Sequence, residues 1–191
     1  MRWVVFDYGE VISRPTGALP ELADLLGVPL ADFERGYWTA RDDYDRGQPD
    51  LEYWRAVGAA VGVEVDEELA RLLTDVDVRG WLLPDPGAVE LIEELATAGV
   101  PLALLSNAPV PFARVAEREP WARHFRHLVF SGDLGVAKPD PRIFAALAQR
   151  LGADPADCVF FDDRQVNVDG ANAAGLRGVL WSGSSHARTV L

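Results

Sequence analysis

Short apolar runs and longer amphipathic stretches alternate along most of this chain. Residues 3–7 (WVVFD), 101–106 (PLALLS), 127–131 (HLVFS), 157–162 (DCVFFD) and 177–181 (RGVLW) have the length and apolar character of buried strands. Residues 86–98, 109–118, 140–151 and 166–174 lie between them and read as helices. Strand alternating with helix predicts an α/β fold, a doubly wound parallel sheet with helices on both faces. Residues 15–84 break this rhythm. Their segments LPELADLLG, ADFERGYWTARDDYDRG, LEYWRAVGAAVG and DEELARLLTDV have helical periodicity and are separated by Gly, Pro and Asp signals. A helical insertion after the first strand sits over the carboxyl ends of the strands, where open α/β sheets bind ligands. The expected organisation is a core domain of residues 1–14 and 85–191 and a helical cap of residues 15–84, with LLPDP at 82–86 as the hinge. The final stretch, SGSSHARTVL, reads as a mobile tail.

Composition narrows the partners. A formal charge of −12 and a pI near 4.6 argue against nucleic acid, because a polyanion meets net repulsion and the sequence has no strong basic patch. The same charge repels a phosphorylated substrate at long range, so phosphate chemistry here needs locally placed positive charge. The chain has seventeen arginines and a single lysine, Lys138, which suggests a place that wants a compact point charge. No run is apolar enough to span a bilayer, and the early acid at Asp7 does not fit a signal peptide. The chain therefore reads as cytoplasmic, with no membrane partner. Its one cysteine, Cys158, sits in an apolar run and reads as core packing.

Four strand ends carry groups with chemistry: Asp7, Ser106 with Asn107, Lys138 after a strand and loop, and Asp162 with Asp163. One parallel sheet places such ends along one rim. A carboxylate nucleophile needs a cation to draw it and an incoming phosphate together, and a pair of carboxylates can hold Mg²⁺ for that purpose. A hydroxyl and backbone N–H groups bind phosphoryl oxygens, and a lysine offsets charge that develops there.

FDYGEVI, LLSNA, GVAKPDPRIF and FFDDRQVNVDGANAAG together resemble, in order, the four motifs of the haloacid dehalogenase (HAD) superfamily. The closest resemblance is to its phosphatase branch with a helical cap between the first and second motifs. The resemblance implies a Mg²⁺-dependent hydrolase of small phosphorylated metabolites in which Asp7 forms an aspartyl-phosphate. It implies that Asp7, the Gly9 carbonyl and Asp163 hold Mg²⁺, with Asn167 ordering the ligand shell. It further implies that Ser106 and the Asn107 backbone bind phosphoryl oxygens and that Lys138 bridges phosphate and nucleophile. Asp162 is either an outer acid or a ligand through water.

The chain departs from the motif at Gly9, where the usual D-x-D places the acid that protonates the leaving group. General acid–base help typically contributes about a hundredfold to ten-thousandfold. A capped branch carrying D-x-G is similar to the chain here and includes members acting on sugar phosphates. Without the acid, leaving groups stable as anions are favoured, such as an anomeric oxygen. Glu10 is a candidate substitute. In the cap, two of the aromatics Tyr37, Trp38, Tyr44, Tyr53 and Trp54, together with Arg46, are expected to face the site and select the substrate. Two other functions compete: a 2-haloacid dehalogenase, which needs neither metal nor the acidic pair, and a catalytically weak binding protein. The oligomeric state stays open between monomer and homodimer.

Overall fold

The computed structural model describes residues 2–191. Strand β1 (Trp3–Phe6) is buried along its whole length at the centre of a five-stranded parallel sheet. It pairs with β2 (Leu102–Ser106) on one side and β4 (Cys158–Asp162) on the other. β3 (His127–Phe130) lies outside β2 and β5 (Arg177–Leu180) outside β4, giving the order β3-β2-β1-β4-β5. The two-residue period of each strand divides its side chains between two buried faces. Val4, Phe6, Leu102, Leu104, Val159 and Phe161 belong to one apolar cluster. Trp3, Val5, Ala103, Leu105, Cys158 and Phe160 belong to the other.

Helices cover both faces, as the alternation of the sequence predicts. On one side, α5 (Pro86–Thr97) and α6 (Val110–Ala116) contribute Leu91, Ile92, Phe112 and Ala113. A short turn, α7 (Ser131–Leu134), follows β3 directly. On the other face, α8 (Pro141–Leu151) buries Ile143, Phe144 and Leu147, and α9 (Gln165–Ala173) buries Ala171.

Between β1 and α5 the chain makes four consecutive helices: α1 (Leu19–Leu26), α2 (Leu30–Tyr44), α3 (Asp50–Val61) and α4 (Glu67–Trp81). Gly27 and Gly62, both with positive φ, end α1 and α3, and the Asp66 carboxylate caps α4 by accepting from the Leu69 N–H. These helices bury an apolar cluster of their own, built around Phe33, Tyr37, Tyr44, Tyr53 and Trp54. The two connections to the sheet run side by side. Arg14 N–H donates to the Leu83 carbonyl at 2.8 Å, and Asp85 N–H donates to the Ile12 carbonyl at 2.7 Å.

The chain end differs from the expected mobile tail. Residues Ser184–Val190 form α10, whose Ala187 is buried in the core. Arg188 clasps both carboxylate oxygens of Glu94 on α5, each at 2.9 Å. A small residue at the contact and a bidentate ion pair anchor a segment whose composition alone reads as loop.

Gly80 shows how closely the insertion is packed. A Cβ there would lie 2.2 Å from the Ala18 Cβ and 2.7 Å from the Thr16 Oγ1. Alanine in a helix interior normally gains about 1 kcal/mol over glycine. Here the overlap reverses the sign, and Gly80→Ala is expected to destabilise the protein by about 1–2 kcal/mol in a urea titration.

Candidate active site

β1 connects to strands on one side of the sheet and β4 to a strand on the other, so the chain diverges between their carboxyl ends, the usual crevice of such a sheet. Phe6 pairs with Phe161, so Asp7, just past β1, and Asp162, the last residue of β4, follow from neighbouring strand ends. Asp7 Oδ1 accepts from the Tyr8 N–H at 2.7 Å and lies 2.8 Å from Lys138 Nζ. The same Nζ donates to Asp162 Oδ2 at 2.7 Å and sits 5.2 Å from the centre of the Phe160 ring. Asp162 Oδ1 accepts from the Arg164 N–H at 2.9 Å, and Asn167 Nδ2 reaches both Asp162 oxygens at 3.0 and 3.1 Å. Both oxygens of Asp162 are therefore taken by the protein. Asp7 keeps Oδ2 free.

The lysine is held in place from the neighbouring strand. Asn107, one residue past β2, donates through Nδ2 to the Lys138 carbonyl at 3.0 Å, and its Oδ1 accepts from the Lys138 N–H at 2.8 Å. With its side chain spent on this clip, Asn107 offers the site only its backbone. Ser106 lines the cavity beside it.

Three carboxylates surround this one ammonium. Asp7, Asp162 and Asp163 each place an oxygen within 4.8 Å of the others. Burial alone would lower the Lys138 pKa, but Asp7 and Asp162 outweigh it and the ammonium is strengthened. Burial raises the Asp7 pKa; Lys138 opposes this, while Asp162 and Asp163 add to it, and the result is a carboxyl well above the usual range. Asp163 is pushed up to about 6 by burial and then by Asp162. The physical reading is a deficit of positive charge. Asn167 Oδ1 is also buried without a hydrogen-bond partner. An all-oxygen donor set with surplus negative charge suits a hard divalent cation.

Above this rim lies a cavity of about 150 Å³. The insertion contributes Trp38, Arg41, Asp45 and Trp81 to its lining; Tyr8 and Phe112 come from the core. Arg41 Nε donates to Asp45 Oδ1 at 2.8 Å, and Nη1 donates to the Tyr37 hydroxyl and to Asp77 Oδ2. A Cβ on Gly9 would stand 3.8 Å from the Trp81 ring, so an aromatic wall borders the side where D-x-D places its second acid. Glu10 lines the cavity with a left-handed backbone, φ +55°.

The haloacid dehalogenase-like hydrolase family matches residues 1–175. The chain belongs to that family. It is 31% identical over 197 residues to phosphatase MT3486 of Mycobacterium tuberculosis, covering 97% of this chain and 89% of that one. It is 33% identical over 200 residues to phosphoglycolate phosphatase 1 of Pseudomonas aeruginosa, covering 99% and 72%. The structure of the HAD family enzyme BT-2542 from Bacteroides thetaiotaomicron, in complex with magnesium and inorganic phosphate, superposes with a TM-score of 0.72 at 17% identity, covering 98% of each chain. That likeness is one of fold.

In this HAD-like hydrolase the strand-end residues singled out by sequence converge, while those named in the insertion mostly do not. Asp7, Gly9, Ser106, Asn107, Lys138, Asp163 and Asn167 all border the one cavity. Arg46 does not; its Nη1 turns back to the Asp42 carbonyl at 3.0 Å. Arg41, one and a half turns earlier on α2, points in instead. Of the five aromatics named in the insertion only Trp38 lines the cavity, while Tyr37, Tyr44, Tyr53 and Trp54 are buried in the insertion's own core. Sequence reasoning missed Arg41, Asp45 and Trp81. The i, i+4 spacing of Arg41 and Asp45 marks an ion pair on one helix face, but not that the face turns to the site. Among the described residues no helix is long and apolar enough to cross a membrane.

The charge deficit has a measurable consequence. A carboxyl whose folded pKa is raised contributes stability at pH values below its unfolded pKa and loses it as pH rises through the folded value. For Asp163 that window runs from 3.8 to about 6. In EDTA, Asp163→Asn is expected to match the native protein in thermal stability near the bottom of this window and to exceed it above the top.

Proposed function

We propose that this chain is a Mg²⁺-dependent phosphatase of small phosphorylated metabolites that works through an aspartyl-phosphate on Asp7. The observation that carries this reading is the single buried lysine among three carboxylates, with one Asp7 oxygen left free. The named phosphatase activities of the two relatives support phosphate ester hydrolysis.

In this reading Asp7 Oδ2 attacks phosphorus. Ser106 Oγ and the Asn107 backbone N–H receive the phosphoryl oxygens, and Lys138 neutralises charge shared between them and Asp7. Asp7, the Gly9 carbonyl and Asp163 would hold Mg²⁺. When bound, the ion supplies the missing positive charge and keeps Asp7 ionised. Asp162 positions Lys138 and Asn167 and takes no direct part, since its oxygens are already bonded. Asn167 orders the ligand shell, with Oδ1 as its remaining acceptor. The helical insertion serves as the cap, covering residues 15–84, and closes the site against water.

With Gly9 in place of the second acid, esters whose alcohols leave readily as anions are favoured, such as sugar 1-phosphates. The same loss slows hydrolysis of the aspartyl-phosphate. A cavity of about 150 Å³ lies below the roughly 300–1,000 Å³ of pockets for drug-sized ligands and limits the substrate to a small metabolite. Halide displacement by the same aspartate would need no cation, and the cluster of Asp7, Asp162 and Asp163 then has no purpose. A binding protein freed from catalysis would have no need to keep Asp7, Ser106, Lys138 and Asp163 together.

A panel of phosphate esters assayed with Mg²⁺ tests the proposal. Phosphate release is expected to vanish in EDTA and return with Mg²⁺, and Asp7→Asn is expected to lose about a thousandfold or more. Activity that survives EDTA, or release of halide from 2-haloacids, would sink it.

A further inference from the structure

The roof of the cavity holds a polar cluster that phosphoryl transfer does not use. Arg41 is nearly buried, and its guanidinium carbon stands 5.2, 5.5 and 5.7 Å from the rings of Tyr37, Tyr44 and Trp81. Its Nε holds Asp45 Oδ1 at 2.8 Å and its Nη1 holds Asp77 Oδ2 at 3.1 Å. Asp77 is further fixed by the Tyr37 hydroxyl, which donates to Oδ1 at 2.6 Å. One guanidinium thus already faces two carboxyl groups. The cluster therefore carries no surplus positive charge to draw a second anion.

Asp45 is the member of this cluster that meets the cavity with a hydrogen-bond acceptor to spare. Oδ1 accepts from Arg41, while Oδ2 takes no hydrogen bond among the described residues. Its backbone is also tied to the phosphoryl end of the site. The Ser131 hydroxyl donates to the Asp45 carbonyl, and the same oxygen accepts from the Ala108 N–H at 2.9 Å, two residues beyond Ser106. The free carboxylate oxygen is therefore held at a set position relative to where phosphate would sit. Trp38 and Trp81 supply flat apolar walls beside it.

We propose that Asp45, positioned by Arg41, is a specificity-determining residue: it accepts a hydrogen bond from a hydroxyl of the substrate's leaving group and disfavours esters that carry a second anionic group there. The proposal rests on the phosphatase reading above and narrows its substrates to polyhydroxylated phosphate esters such as aldose phosphates. An ionised carboxylate offers acceptors only, so it rewards a hydroxyl and repels another carboxylate. A site built to hydrogen-bond a substrate hydroxyl also rejects the analogue that lacks it, because its own polar group is then left unpaired. Aromatic faces suit the C–H surface of a sugar ring. The inference separates this chain in substrate from the phosphoglycolate phosphatase to which it is similar, since phosphoglycolate carries a carboxylate.

The experiment measures kcat/KM with Mg²⁺ for an aldose 1-phosphate, its monodeoxy analogues, phosphoglycolate and phenyl phosphate. In the native protein the aldose ester is expected to exceed phosphoglycolate by about tenfold or more, and at least one deoxy analogue is expected to lose about tenfold, chiefly through KM. In Asp45→Ala the ratio between parent and deoxy ester is expected to collapse toward one and the deficit of phosphoglycolate to shrink. Asp45→Asn, which removes the charge with little change in shape, is expected to shrink that deficit as well. A preference of the native protein for phosphoglycolate would overturn the inference, as would a parent-to-deoxy ratio left intact in folded Asp45→Ala. If no ester releases phosphate, phenyl phosphate included, the phosphatase reading itself fails and takes the assignment with it.

Discussion

One ammonium shared between two carboxylates at the rim of a parallel sheet is the interaction on which the rest of the site depends. Lys138 is buried with Asp7 at 2.8 Å and Asp162 at 2.7 Å, and Asp163 stands close by. Removing the ammonium from such a cluster leaves the carboxylates unpaired in a poorly solvated place, which typically costs about 3–5 kcal/mol. The fold devotes several devices to holding the lysine in position. Asn107 clips its backbone, Asn167 and the Arg164 N–H saturate Asp162, and the Phe160 ring lies against the charge. What the protein does not supply is enough positive charge for the whole cluster. That deficit adds to burial in raising the Asp7 and Asp163 carboxyls, and it is the place where a divalent cation would fit.

The helical insertion contributes a second, separate ion cluster to the same cavity. At the floor, one lysine faces a cluster of carboxylates; at the roof, one arginine is matched by Asp45 and Asp77. The two clusters are joined through Ser131, which bonds the Ala108 N–H on one side and the Asp45 carbonyl on the other. Trp81 connects them in another way, as the wall beside Gly9 and as a donor to the Tyr37 hydroxyl in the Arg41 network.

Much of this was legible in the sequence because it depends on local pattern. The strand ends that carry Asp7, Ser106, Asp162 and Asp163 are marked by apolar runs that stop at a polar residue, and a parallel sheet forces such ends onto one rim. The isolated lysine was a useful sign, since a compact charge at the meeting point of two carboxylates is a place where arginine does not substitute. The roof was less legible. Helical periodicity gives the buried face of α2 but not its rotation relative to a sheet about which the sequence of α2 holds no information. Nothing in the local pattern therefore favours Arg41 over Arg46, or separates Trp38 from the four aromatics that pack inside the insertion. The chain end failed for a different reason: Ser184–Val190 is helical because Arg188 finds Glu94 and Ala187 finds the core, contacts that no local propensity encodes.

The central claim is that Asp7 takes the phosphoryl group and, lacking an acid–base partner at Gly9, gives it up slowly. Acid quenching during turnover of an aldose 1-phosphate with Mg²⁺, followed by peptide mass analysis, tests this most directly. The account predicts that the peptide containing Asp7 carries a phosphoryl group on a substantial fraction of molecules, and that EDTA abolishes the adduct. Turnover at a normal rate with no phosphoryl adduct on Asp7, or with the adduct on another residue, would contradict it.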